Sequence, residues 1–120
     1  MISTLDVGPG VLGYHVDGKL QREDIDRAYA ELDRTLASAE KIRVYAEVDS
    51  LSGTPGALWE DLRQGFQHWN VIPRIEKVAV VTDLGWVRNV TELEDKLFRG
   101  MDMRVFPLAR AAEARSWIQA

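Results

Sequence analysis

The chain of 120 residues contains no cysteine, which removes disulfides, thiol nucleophiles and cysteine-ligated zinc from consideration together. The absence fits a reducing compartment. Long apolar runs are missing as well. The longest, Val78 to Val81, falls far short of the roughly 20 residues that a membrane-spanning helix needs. Met1 to Asp6 has neither a basic region nor an apolar run, so no secretory leader is expected and a cytoplasmic location is the natural expectation. Cationic excess is absent too. Fifteen Lys and Arg against nineteen Asp and Glu give a net charge of −4, and the cations are scattered among acids, which argues against a nucleic-acid partner. No Gly-x-Gly-x-x-Gly, no phosphate-cradling loop ending in Gly-Lys-Ser/Thr and no His-Glu-x-x-His occurs.

What is present is a regular alternation of strand and helix patterns in a length that suits one domain, residues 1–120. Ile2 to Val7 and Val11 to Asp17 read as strands joined by Gly8-Pro9-Gly10, a turn short enough to demand an antiparallel hairpin. Arg22 to Ala37 reads as a helix, with Ile25, Ala28, Tyr29, Leu32 and Leu36 on one stripe and Glu23 and Asp24 in its first turn. Strands follow at 42–49, 77–82 and 101–106, alternating with helices at 57–69, 86–98 and 108–119. The order β-β-α-β-α-β-α-β-α implies an α/β domain with a mixed, mostly parallel sheet and right-handed crossovers.

The strand from Ile42 to Asp49 puts Ile42, Val44, Ala46 and Val48 on one face and Arg43, Tyr45 and Glu47 on the other. Met101, Met103 and Val105 alternate likewise with Asp102 and Arg104. Strands buried on both faces lose this alternation, so helices are expected mainly on one face, with the other partly open to solvent or to a partner. Such an open face leaves room for a homodimer.

The loop Ser50 to Gly56 leaves the carboxyl end of a strand and leads into a helix, a position where α/β proteins often place function. Its Ser50, Ser52 and Thr54 are candidates for regulatory phosphorylation, which would add nearly two charges beside a helix N-terminus. The plainer reading is a turn that needs glycine conformations. Glu60, Gln64 and His68 share a helical face without completing a metal-ligand pattern, so no metal is expected. His15 has no nucleophile at readable spacing, and no carboxylate couple stands out among Glu92, Glu94 and Asp95. Hence neither catalytic residues nor a cofactor are expected.

Four tryptophans are the richest signal. Trp59, Leu62, Phe66 and Trp69 lie on the helix 57–69, and Trp86, Val90, Leu93 and Leu97 on the helix 86–98. Core packing is the ordinary explanation for such stripes. The sharper expectation is an apolar pocket between the two helices, able to hold a small hydrophobic ligand or lipid, or to give peripheral membrane contact.

Several stretches carry a family resemblance over nearly the whole chain. Gly13-Tyr14-His15-Val16-Asp17-Gly18-Lys19-Leu20 with Glu23-Asp24, Gly56-Ala57-Leu58-Trp59-Glu60-Asp61-Leu62, Arg74 to Asp83 with Trp86, and Val105-Phe106-Pro107 are the pieces. Together they resemble the STAS-like proteins similar to the sporulation anti-sigma-factor antagonist, a group linked by fold to Sec14-type domains. The resemblance implies a βα superhelix with helices on one side and a non-enzymatic domain that binds a hydrophobic ligand or associates with membranes. The alternative expectation is a regulatory module that docks a protein partner through the loop 50–56. Antagonists of that type carry an Asp-Ser-Ser-Gly-like phosphorylation site at the second helix. Here Gly53-Thr54-Pro55-Gly56 stands in that region.

Overall fold

The computed structural model describes residues 2–18, 22–38, 41–49, 74–83 and 102–120. Five strands form one sheet whose spatial order follows chain order: β1 (Ile2–Leu5), β2 (Val11–Val16), β3 (Ile42–Val48), β4 (Ile75–Thr82) and β5 (Asp102–Phe106). The helix α1 spans Arg22–Ser38. A single 3-10 turn at Leu108–Arg110 leads into α2, Ala111–Gln119. β1 runs antiparallel to β2, and each later neighbour runs parallel, which is the hairpin and crossover order expected from the sequence.

Local chemistry explains the hairpin. Pro9 supplies the fixed φ at the second turn position, and Gly10 takes φ +79° at the third. The amide of Val11 then donates to Gly8 O at 3.4 Å, closing a type II arrangement. Gly13 faces Leu5 across the pair, and a Cβ there would run into the Leu5 carbonyl oxygen and lie 2.6 Å from Val7 Cγ2. The bare backbone therefore lets the chain fold back over β2 and bury Val7.

The register lines up Gly13, Tyr45, Ala79 and Arg104 in one row, and Tyr14, Ala46, Val80 and Val105 in the next, on the opposite face. α2 packs on the first face. Ala114 and Ile118, both fully buried, close over Val7, Tyr45, Ala79, Val81 and Phe106. α1 lies on the second face, where Glu31 meets Tyr14, and Leu32 and Leu36 are buried. Arg74 donates to Leu36 O at 2.6 Å and ties the start of β4 to that helix.

Tyr45 sits between two charged neighbours on the face expected to stay partly open, yet it is completely buried beneath α2. Its flanking residues Arg43 and Glu47 remain half-buried at the margins. The described helices thus take one face each. Segments 57–69 and 86–98, on which the expectation of helices mainly on one face also rests, lie outside the described residues.

Several boundaries differ from the periodicity. β1 stops at Leu5, two residues before Val7, β2 and β3 end one residue early, and α1 runs one residue longer. Two further boundaries have a local cause. β4 begins at Ile75 because the pairing with β3 shifts register between Ile42 and Arg43, absorbing one extra residue. The last helix starts as a 3-10 turn, since Pro107 occupies its N-cap and the Arg110 amide bonds Pro107 O at 2.9 Å. Its far end is held from the sheet. Arg43 donates to Ile118 O at 2.9 Å and Lys77 to Trp117 O at 3.4 Å, pairing carbonyls in the last turn, where a helix runs out of its own donors. Lys77 and Arg104 also lie over the Trp117 ring, at 5.0 and 4.8 Å from its centre.

Candidate functional site

The carboxyl ends of the parallel strands form the candidate site. His15, one residue from the end of β2, presents Nε2 directly to Asp49 Oδ2, just beyond β3. The two come together because β2 and β3 are parallel neighbours paired at Val16 and Val48. The Asp49 amide strengthens the join by donating to Val16 O at 3.0 Å. Asp49, which directly precedes 50–56 in the chain, is thus held through both its side chain and its main chain.

Beside this pair, Glu47 is the register neighbour of His15 and accepts from the Tyr45 hydroxyl at 3.3 Å. Arg115 of α2 stands 5.5 Å from the Tyr45 ring centre. Burial raises the Tyr45 phenol above its ordinary value, with Glu47 adding to the shift and Arg115 opposing it. On the next strand, Asp83 accepts from the Leu108 amide at 3.1 Å and links the end of β4 to the entry of α2. Thr82 just before it is fully buried.

Charge is polarised along the strands. Asp17, Glu47, Asp49 and Asp83 lie at the carboxyl ends, with Arg115 of α2 near Glu47. Lys41, Arg43, Arg74 and Lys77 lie at the amino ends of β3 and β4, where Glu76 pairs with Arg43. A partner approaching the carboxyl edge meets an acidic rim with one histidine in it.

Two clefts open between the β1–β2 hairpin and α1, of about 420 and 300 Å³. Neither is lined by His15, Glu47 or Asp49. The His–Asp pair therefore has the contact geometry of an acid–base couple but sits on the surface, with side chains 27% and 47% exposed. An enclosed substrate position beside the couple, where a proton could be passed to a bound molecule, is not built by the described residues. Among those residues no three His, Asp or Glu side chains gather to hold a metal, and no helix is long and apolar enough to cross a membrane.

The residues singled out from sequence divide cleanly. His15 falls in the site. Ser50, Ser52 and Thr54 lie outside the described residues, as do Trp59, Leu62, Phe66 and Trp69 and their counterparts Trp86, Val90, Leu93 and Leu97. Glu60, Gln64 and His68 lie outside them too. Sequence reasoning missed Asp49 as the partner of His15, because the two are 34 positions apart and only the strand register joins them.

Comparison with known proteins bears on the whole chain. A family model described as SpoIIAA-like matches residues 11–119. Among solved structures, an uncharacterized protein with a SpoIIAA-like fold from Shewanella loihica PV-4 superposes with a TM-score of 0.61. It is 23% identical, and the match covers 90% of this chain and 83% of that one, a likeness of fold. No curated protein matches.

Proposed function

The chain belongs to the SpoIIAA-like family, and from that premise we propose a non-enzymatic regulatory module that docks a protein partner through the loop 50–56 and the acidic rim at its root. The observation that supports this reading is the His15–Asp49 pair. It pins the root of the loop to two strands, while Glu47 and Asp83 add negative charge on either side. A rigid root lowers the entropy lost when a loop is ordered against a partner. The rim favours a partner with a basic surface, since complementary potentials raise the rate of encounter and discriminate among partners. Phosphorylation of Ser50, Ser52 or Thr54 would add charge to an already acidic edge and shift docking. Capture of partners from lysate by the native chain and by a variant with all three changed to alanine tests the proposal. Unaltered capture by the triple variant defeats it.

A second reading keeps the apolar pocket between 57–69 and 86–98 for a small hydrophobic ligand or lipid. Its support is the row formed by Ala46, Val80 and Val105, an apolar strip that is only half-buried at the centre of the sheet. Native mass spectrometry of the purified chain should then show bound lipid or fatty acid. Finding no bound ligand, and no thermal shift across a lipid panel, returns the stripes to ordinary core.

A further inference from the structure

The two clefts along α1 meet. Thr4 of β1 and Glu31 of α1 line both, so the cavities join into one trough between the edge strand and the helix. From Arg27 to Ser38 the helical wall is about 16 Å long, a length that about five residues of extended chain would fill. The other wall is β1, which pairs with β2 along one side and carries no charged residue in Ile2-Ser3-Thr4-Leu5. Among the described residues no strand covers its outer edge. Native edge strands are normally guarded by shortness, charge, proline or a bulge. β1 has no charge, proline or bulge within it, and its guards are its four-residue length and the Arg27 bond to Ile2 O at one end.

The trough's polar groups differ in their availability. Arg27 is committed, bonding Asp24 at 2.8 Å and Ile2 O at 3.2 Å. Glu31 faces Tyr14, whose phenol is pushed up by burial and by that carboxylate. Arg34 lines the wider cleft opposite Val11 and Leu12, and among the described residues no carboxylate pairs with it. A small Thr4 in the middle leaves the floor open.

From these we infer that the trough binds an extended segment of a partner protein as a sixth strand beside β1, with an acidic residue of that segment on Arg34. Main-chain bonds to the β1 edge supply sequence-independent affinity, and alternate side chains entering the trough supply selectivity. Arg34, the trough's cation without a carboxylate partner among the described residues, sets the sign of the ligand. A second copy of this chain fits less well, because its own β1 would bring isoleucine, serine, threonine and leucine, and no carboxylate, to Arg34. This surface is separate from the carboxyl edge and does not depend on the loop 50–56.

Selection of phage-displayed short random peptides on the full chain, followed by amide hydrogen exchange with the winners, tests the inference. Enriched peptides should contain Asp or Glu, slow exchange at Ser3 to Leu5, and shift the resonances of Thr4 and Arg34. Arg34→Glu should weaken them about tenfold by turning an attraction into a repulsion. Thr4→Trp should abolish binding by filling the trough, while Arg115→Ala on the other face leaves it unchanged. Three results overturn the inference: no enrichment above background, binding that survives Arg34→Glu, or β1 amides already protected by self-association at working concentration. Arg34→Glu alters an exposed helical position, so it reads binding even if Thr4→Trp disturbs the fold.

Discussion

Arg43 of β3 donates through Nη1 to the main-chain oxygen of Ile118, 75 residues later, at 2.9 Å. A cation in the sheet thereby ends a helix that has no basic residue in its own last turn. Replacing Arg43 with alanine leaves that carbonyl unpaired beside the core and should cost about 1–3 kcal/mol. Removing its other partner, the exposed Glu76, should cost less than about 1 kcal/mol. Urea unfolding of the two variants checks the ranking, and equal losses would refute it.

Two glycines separate sterics from backbone conformation. Gly10 has φ +79°, and nothing lies within 4 Å of where a Cβ would stand, so Gly10→Ala should cost about 1–2 kcal/mol through φ alone. Gly13→Ala meets the Leu5 carbonyl and Val7, and should cost about 1–3 kcal/mol through overpacking. A second change distinguishes them. Val7→Ala should partly relieve Gly13→Ala, by removing the methyl at 2.6 Å, and should leave the Gly10 loss unchanged. Urea unfolding of the single and double variants measures the coupling, and equal relief at both glycines would contradict it.

Alkaline pH should weaken the fold in a traceable way. The phenols of Tyr14 and Tyr45 are raised above 10.0 by burial, so the folded chain holds protons that the unfolded chain gives up. Their contribution is complete below pH 10.0 and is lost as pH rises through the folded values. Melting temperature should therefore fall above that pH, and Tyr14→Phe should flatten the fall more than a substitution at an exposed position. A melting curve for Tyr14→Phe that declines as steeply as the native chain's would overturn the assignment.

The His15–Asp49 pair should matter more to docking than to folding. Because both side chains are partly exposed, Asp49→Asn should change stability by less than about 1 kcal/mol. On the proposed function it should nonetheless weaken partner capture, since the root of the loop loses its side-chain anchor. Calorimetry beside a capture assay measures both, and a stability loss without a docking loss contradicts the proposal.

The strands were legible in the sequence because their chemistry is local. Gly8-Pro9-Gly10 announces a turn, and alternation from Ile42 to Asp49 announces a strand with two unlike faces. Tyr45 shows where such local reading stops. Placed between Arg43 and Glu47, it looks like an outward residue. Among the described residues it is α2, arriving from far along the chain, together with Val7 that turns that face into core. Its hydroxyl tolerates burial through Glu47, a partner two residues away that reads simply as a surface acid. The same limit hid Asp49 from His15, and the register shift at Ile42 that lengthens β4.

Chain order and sheet order coincide, so each strand emerging from a ribosome finds its neighbour already made. The hydrophobic cluster does not share that convenience. Val7 and Ile118 belong to it together, and Gln119 bonds the Val7 carbonyl across 112 positions of sequence. During synthesis the sheet is able to assemble step by step while its Tyr45 face stays uncovered. Only when Ala111–Gln119 has cleared the exit tunnel can α2 seal that face, which makes this late helix the latch of the whole domain.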